Sequence, residues 1–209
     1  MAERTTRLAK PARPKRTKRC WGELEDPLVR DYHDLEWGTP LHDDRKIFEF
    51  LILEGMQAGL SWNLILKKRE NFRRAFRDFD PEKVARFTAR DVQRLLNDAG
   101  IIRNRLKILA AINNAKRFLE VEKEFGTFDS YIWGFVGGKP IRSGLRSFVD
   151  MPARTPLSDA ISKDLKVRGF KFVGSTVVYS HMQATGMVND HLVGCFRYKE
   201  LARSAARGL

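Results

Sequence analysis

The sequence predicts an all-α fold. A nearly continuous apolar run occupies residues 43–60, and helix-start and helix-stop signals recur along the rest of the chain. No stretch alternates apolar and polar residues as a half-buried strand would, and no internal repeat is visible. With 209 residues, 43% of them hydrophobic, the chain can bury the core of a single domain.

The first predicted helix is the central one, over residues 43–60. Apolar side chains surround most of its circumference, so it should be buried on most sides. Asp80 and Pro81 then supply an N-cap followed by proline at the first helical position. Thr88 and Asp91 have the spacing of a capping box, which predicts a short helix after them.

The later helices are predicted by their amphipathic pattern and their terminal glycines. Residues 104–124 form a long amphipathic helix that ends before Gly126. A further helix runs from about residue 158 to 169, and another from about 175 to 185, closed by Gly186.

The turn between the last two helices predicts a helix-hairpin-helix arrangement. Gly169 and Gly174 border this turn and permit a tight bend. Backbone N–H groups at the start of the second helix, with Arg168 or Lys171 nearby, can bind a DNA phosphate without reading a base. The alternative is an ordinary pair of helices that binds no ligand.

Two cysteines and two histidines predict a metal site. Cys20 precedes His33 near the start of the chain, and His191 precedes Cys195 near its end. Thiolates and imidazoles are ligands of four-coordinate structural zinc, so one Zn²⁺ would join the N- and C-terminal regions. Such a site has no open position for hydrolytic chemistry. The alternative is two buried thiols and two hydrogen-bonded histidines.

Positive charge is concentrated at the N-terminus. The formal net charge is +13, and residues 1–19 hold eight Lys or Arg and one acid. We expect a disordered basic arm over residues 1–19 that raises non-specific affinity for DNA, or a merely solubilising segment. The folded domain is expected over residues 20–198 and a C-terminal tail over 199–209.

The chain begins with basic residues rather than an apolar signal segment, and no apolar run is long enough to cross a bilayer. Two cysteines cannot form a secreted disulfide framework. A cytoplasmic protein without membrane contact, associated with the nucleoid through DNA, is therefore expected, and a monomer is the default.

A carboxylate among aromatic residues predicts a base-binding pocket. Glu54 falls inside the apolar central helix, where an unpaired charge is costly, and Trp62 follows within two turns. Tyr32 and Trp37 bracket the first zinc-ligating histidine. Aromatic rings stack on nucleobases, and a desolvated carboxylate accepts hydrogen bonds from an amine. The alternative is core packing, with Glu54 paired to an arginine; core packing is the interpretation for Trp133.

Several long strings resemble the 3-methyladenine DNA glycosylase I family over about residues 19–196. They are DPL at 26–28, YHDLEWG at 32–38, LEGMQAGLSW at 53–62, KKREN at 67–71, RGFKFVG at 168–174, MQA at 182–184 and NDH at 189–191.

The resemblance implies a helix-hairpin-helix glycosylase fold with one structural zinc. It implies base excision repair by a monofunctional enzyme, which hydrolyses the N-glycosidic bond of 3-methyladenine in alkylated double-stranded DNA, releases the free base and leaves an abasic site. Glu54 would recognise the flipped base, Trp62 would stack on it, and Tyr32 and Trp37 would be further pocket walls. The implied zinc ligands are Cys20, His33, His191 and Cys195.

Some positions depart from the family pattern. Trp21 directly follows the first cysteine, where the family tryptophan stands one residue later, and Val29 occupies a position often held by tyrosine. Asn189 stands where related hairpin glycosylases have a catalytic aspartate. A 3-methylated adenine in DNA is cationic and leaves readily, so modest help suffices. Asp190 is an alternative candidate for activating water.

Two other functions fit part of the pattern. A non-catalytic, zinc-containing DNA-binding module explains the charge, the metal ligands and the hairpin, but not a carboxylate beside tryptophan. A related glycosylase with another lesion preference is consistent with the departures at Trp21 and Val29.

Overall fold

The structure is a computed structural model that describes residues 18–22 and 25–206, without the side chains of 204–206. The predicted basic arm, residues 1–19, lies outside this part of the chain except for Lys18 and Arg19. The side chain of Arg19 pairs with Asp34, 2.6 Å between Nη2 and Oδ2. Lys18 and Arg19, the last two residues assigned to the arm, therefore belong to the described part of the chain.

The described residues are mostly helical, which agrees with the predicted class. The helices are α1 (Pro27–Asp31), a π-helical turn (Tyr32–Glu36), α2 (Asp44–Gln57), α3 (Trp62–Ala75), α4 (Pro81–Ala85), α5 (Ala89–Asn97), α6 (Arg105–Phe125), α7 (Phe128–Gly134), α8 (Pro156–Val167), α9 (Ser175–Ala184) and α10 (Phe196–Ala206). Short 3-10 turns occupy Arg77–Phe79 and Phe148–Asp150.

Helix α2 is the centre of the fold. It packs against α3, α6, α7 and α9, and ten consecutive residues of it, from Ile47 to Met56, are buried. A helix with apolar side chains on almost every face is buried, because each of those faces needs a packing partner. The buried position of α2 also places Glu54 at 4% exposure.

The predicted caps are present. Asp80 accepts a hydrogen bond from the backbone N–H of Lys83, 3.2 Å away, and Pro81 occupies the first position of α4. Thr88 and Asp91 form the capping box of α5. These side chains satisfy backbone N–H groups that a helix leaves unpaired at its start.

Helix α8 begins two residues before the predicted start. Thr155 is its N-cap and forms a capping box with Ser158, while Pro156 takes the first helical position. The predicted start at residue 158 therefore lies in the first turn. At the other end Gly169 has φ +86°, a backbone conformation that side chains disfavour.

Two features differ from the prediction. Residues Ile141–Arg142 (β1) and Val188–Asn189 (β2) form a two-residue parallel pair, where no strand was expected. Helix α10 continues to Ala206, so the predicted domain boundary at residue 198 falls inside a helix. The pair β1–β2 is too short to carry an alternating pattern, which is why sequence periodicity did not reveal it.

None of the helices in the described part of the chain has the length and apolar character needed to cross a membrane.

Candidate functional site

A cleft of about 180 Å³ opens where the π-helical turn, α2, the start of α3 and α9 meet. It contains all four residues assigned to the base-binding pocket from the sequence, and Trp21 as well. The described residues that line it are Trp21, Tyr32, Trp37, Glu54, Gln57, Trp62, Phe148, Met151, Ser180 and Gln183.

The Glu54 carboxylate is buried and carries no ion pair or hydrogen bond with any described residue. Burial alone raises the pKa of Glu54 to about 8, because a low-dielectric site penalises the charged form. The alternative of an arginine partner for Glu54 is therefore wrong. The buried arginine of α3, Arg69, pairs instead with Glu49, 2.5 Å between Nε and Oε1, and with Glu36.

The aromatic walls are tilted against one another. The ring centroids of Tyr32 and Trp62 lie 5.3 Å apart at 49°, and those of Trp21 and Trp37 lie 5.1 Å apart at 48°. The indole N–H of Trp62 is buried without a hydrogen-bond partner among the described residues. These rings give the cleft flat apolar faces, with Glu54 as its one ionisable carboxyl group.

Gln183 adds an oriented amide to the cleft. Its Nε2 donates to Asp190 Oδ2 at 2.7 Å and contacts Met151 Sδ at 3.3 Å. Because both partners are acceptors, the amide nitrogen is assigned to that side and the carbonyl oxygen Oε1 is left free. Asp190 also accepts from the hydroxyl of Tyr179 at 2.6 Å.

Neither Asn189 nor Asp190 lines the cleft. Asp190 is 1% exposed and lies behind Gln183, so it is placed to hold that side chain rather than to contact a guest. Asn189 belongs to β2, and its Oδ1 accepts from the backbone N–H of His191 at 3.3 Å. Trp133 is a buried core residue, as expected, and donates to the carbonyl of Leu41.

The four predicted metal ligands lie together. The ligating atoms of Cys20, His33, His191 and Cys195 are all within 4.8 Å of one another, and all four residues are buried. Cys195 Sγ is 3.6 Å from both His33 Nε2 and His191 Nδ1. A tetrahedral zinc with ordinary Zn–S and Zn–N distances separates sulfur from nitrogen by about 3.6 Å. The cluster could therefore hold a metal ion.

Each histidine of the cluster has its outward nitrogen bound to an acceptor. His33 Nδ1 donates to Asp34 Oδ1 at 2.7 Å, and His191 Nε2 donates to the carbonyl of Trp37 at 2.9 Å. In a neutral imidazole with this hydrogen bond the inward nitrogen is the unprotonated one, which is the state that a metal requires. This pattern favours a metal site over two histidines that merely satisfy each other.

The cluster of Cys20, His33, His191 and Cys195 supports one wall of the cleft. Trp37 lies one residue beyond the π-helical turn that carries His33, and its ring packs edge-on against His191, with centroids 4.6 Å apart. Trp21 follows Cys20 directly and packs edge-on against His33 at 5.0 Å. Both tryptophans line the cleft, so the cluster positions them.

The predicted phosphate-binding turn lies between α8 and α9. Lys171 is exposed, and its backbone N–H and carbonyl both bond to the side-chain amide of Asn114, each at 2.8 Å. Gly174 is the N-cap of α9 and has no side chain to cap it. Arg168, by contrast, is engaged by Glu124 at 2.7 Å and Asp164 at 2.8 Å. Among the described residues, Lys171 has no ion-pair partner, whereas Arg168 has two.

Five residues of the cleft were not found from the sequence: Gln57, Phe148, Met151, Ser180 and Gln183. Gln57, Ser180 and Gln183 lie on helices α2 and α9, one or more turns from residues already singled out. Phe148 and Met151 come from the 3-10 turn Phe148–Asp150 and its C-cap, a segment without a motif. Only the tertiary fold brings this segment to the cleft.

Comparison with known proteins identifies the family. The family model described as methyladenine glycosylase matches residues 21–198. DNA-3-methyladenine glycosylase 1 of Escherichia coli (strain K12) is 52% identical over 181 residues, which cover 87% of this chain and 97% of that protein.

Solved structures give the same result. A crystal structure of 3-methyladenine DNA glycosylase I superposes with a TM-score of 0.83 at 52% identity, covering 86% of this chain and 98% of that one. A structure that describes 3-methyladenine recognition by the Staphylococcus aureus enzyme has a TM-score of 0.82 at 41% identity, covering 85% and 94%. The chain therefore belongs to the methyladenine glycosylase family.

Proposed function

We propose that the protein excises 3-methyladenine from alkylated double-stranded DNA by hydrolysing the N-glycosidic bond, as a monofunctional enzyme of base excision repair. The observation that carries the proposal is the buried, unpaired Glu54 carboxyl group in an aromatic cleft. The E. coli and S. aureus relatives are named for this base, and their similarity covers most of the chain.

The guest that suits the cleft is a flat cation with an amine edge. A purine can stack between tilted aromatic faces, and Trp62 is the proposed stacking partner. Glu54 accepts hydrogen bonds from the exocyclic amine, and its negative charge favours a cationic base. Gln183 Oε1 is a second acceptor for the amine edge, since its amide nitrogen is held by Asp190.

Catalysis then requires little more than selective binding. The N3-methylated adenine already carries the positive charge that makes a base a good leaving group, so no general acid has to protonate it. Extrusion into the cleft removes water from the base, and water captures the sugar as the bond breaks. This account agrees with the placement of Asn189 and Asp190 away from the cleft.

Structural zinc is the proposed occupant of the Cys20, His33, His191 and Cys195 cluster. When bound, Zn²⁺ holds the two ends of the domain together, and a complete Cys₂His₂ set leaves it no open position for substrate. DNA binding is assigned to the glycine-edged turn between α8 and α9, where backbone N–H groups and Lys171 can contact a phosphate.

Chromatography of the bases released from methylated DNA tests the reaction and the substrate together. The parent protein should release 3-methyladenine, and Glu54→Gln should release it at least tenfold more slowly while remaining folded. Release by Glu54→Gln at the parent rate would remove Glu54 from the mechanism. No release by the parent protein would favour a non-catalytic DNA-binding module, and release of a different base would reassign the lesion preference.

A further inference from the structure

A second cavity has a volume of about 420 Å³. Its lining consists of Lys18, Arg19, Gly144, Arg146, Leu192, Val193, Gly194 and Cys195. No aspartate or glutamate of the described chain is part of this lining. The cavity is therefore basic. It borders the Cys/His cluster through Cys195, but its basic side chains take no part in that cluster or in the base-binding cleft.

Two of its three cations are uncompensated. Arg19 is neutralised by Asp34, which its guanidinium contacts through two nitrogens. Lys18 and Arg146 are exposed, and neither forms an ion pair with a described residue. Two free cations around an open cavity favour an anionic ligand, since Lys and Arg bind phosphate oxygens strongly.

Chain continuity shows how near this cavity lies to the cleft. Arg19 lines the cavity and Trp21, two residues later, lines the cleft; likewise Arg146 lines the cavity and Phe148 lines the cleft. Two residues span at most about 7 Å. Because DNA rises about 3.4 Å per nucleotide along its axis, a bound strand could reach both linings within a few nucleotides.

We propose that this basic cavity binds phosphates of the damaged DNA strand within a few nucleotides of the flipped base. The inference rests on the function proposed above, because it takes the cleft as the place where the base is held. Residues 1–17 contain six Lys or Arg and one Glu, and they join the described chain at Lys18. The most basic part of the sequence thus enters the fold at this cavity, which suits a polyanionic strand.

The test is the salt dependence of DNA affinity. We would titrate full-length protein into a fluorescent duplex that carries a stable abasic analogue, and follow anisotropy at several salt concentrations. The variant Lys18→Ala/Arg146→Ala removes the two free cations. The control Arg86→Ala/Arg90→Ala removes the same charge from exposed positions at the end of α4 and in α5, which line neither cavity.

Each phosphate contact contributes about 0.9 to the slope of log affinity against log salt. The Lys18→Ala/Arg146→Ala variant should therefore lower the slope by about 1.8 and weaken binding at about 0.15 M salt by roughly tenfold or more. The control should stay within about twofold of the parent. Binding of free 3-methyladenine, followed by tryptophan fluorescence, should be unchanged in both variants.

An equal loss of slope in the control pair, or no loss in the cavity variant, would overturn the assignment. The two proposals fail differently. If the cleft does not bind a base, the parent protein itself shows no binding of 3-methyladenine, whatever its affinity for DNA. If only the cavity is misassigned, base binding and base release persist while the two double variants bind DNA alike.

Discussion

At the scale of single residues, the surroundings of Glu54 disfavour the charged form of its carboxyl group. It lies in the most buried helix without a partner, and burial raises its pKa to about 8. Such a group costs stability when it ionises, and proteins keep costly groups mainly where they act. A cationic base in the cleft would favour ionisation and lower the pKa again.

The pH dependence of base release should report this carboxyl group. In the free protein Glu54 is protonated below about pH 8 and ionised above it. Because the ionised form attracts the cationic base, kcat/KM for 3-methyladenine release should rise from pH 6 to 9 with a midpoint near 8. Glu54→Gln should show a lower and flat profile over this range. A parallel rise in both proteins would assign the titration to another group.

Glu54→Gln, which should slow base release, should also raise the stability of the folded protein at high pH. The pKa of Glu54 is raised on folding, so the folded state binds more protons than the unfolded state between the two pKa values. The contribution of Glu54 to stability is therefore lost as pH rises through that window, up to about 8. Glu54→Gln should unfold at a temperature roughly 10 °C or more above the parent at pH 9 and near the parent at pH 5.

Residue motifs predicted part of the cleft and could not predict the rest. Tyr32, Trp37, Glu54 and Trp62 stand in strings that resemble a known family, and the structure brings them together. Phe148 and Met151 carry no such signal, because their place depends on how the chain returns after α7. The pairing of Asp190 with Gln183 likewise depends on the turn that follows α9.

At the scale of elements, capping chemistry predicted helix starts better than apolar pattern did. Asp80 and Thr88 are N-caps at the predicted positions, because short polar side chains bond to free N–H groups locally. Asn104, expected only as the first residue of an amphipathic helix, is the N-cap of α6. Helix α3 was not predicted, since much of its length is charged and its buried side chains are few. Helices α1 and α7 span only five and seven residues, which is too few for the hydrophobic periodicity of a helix to be recognised in the sequence.

The end of α9 depends on one glycine. Gly186 has φ +71°, and a Cβ there would lie 2.4 Å from the backbone of both Thr39 and Pro40. Gly186→Ala should therefore lower the free energy of unfolding by about 3 kcal/mol or more, measured by urea denaturation.

Gly138 is the matched control for this prediction. It has the same φ of +71°, but a Cβ there would meet nothing within 4 Å. Gly138→Ala should cost about 1 kcal/mol from backbone strain alone. Equal losses in the two variants would mean that the Thr39–Pro40 segment moves aside without cost.

At the scale of the whole molecule, the Cys/His cluster brings together the two ends of the domain. Cys20 and His33 come from the start of the chain, and His191 and Cys195 from its end. The backbone N–H of Phe196, the first residue of α10, also donates to the carbonyl of Lys18 at 3.1 Å. The sequence predicted this ligand set because it holds only two cysteines, each followed or preceded by a histidine.

Removing a metal-binding cysteine should destabilise the contact between the two ends of the domain without abolishing base binding in the cleft. Cys20→Ser and Cys195→Ser should each lose zinc by elemental analysis, and each should lower the unfolding temperature by roughly 10 °C. The double variant should cost little more than either single one, since the metal is lost once. Folded protein that remains should still bind free 3-methyladenine. Full zinc content in both single variants would contradict the ligand set.

A ligand set divided between the two ends imposes an order on biosynthesis. No complete site exists until residue 195 has been translated, and at about 5–20 residues per second this comes roughly 9–35 s after Cys20. Throughout that interval the early thiol lacks its later partners and is open to oxidants in the nascent chain. The protein should therefore be most sensitive to peroxide and to metal starvation while it is being made, and far less so once it has matured.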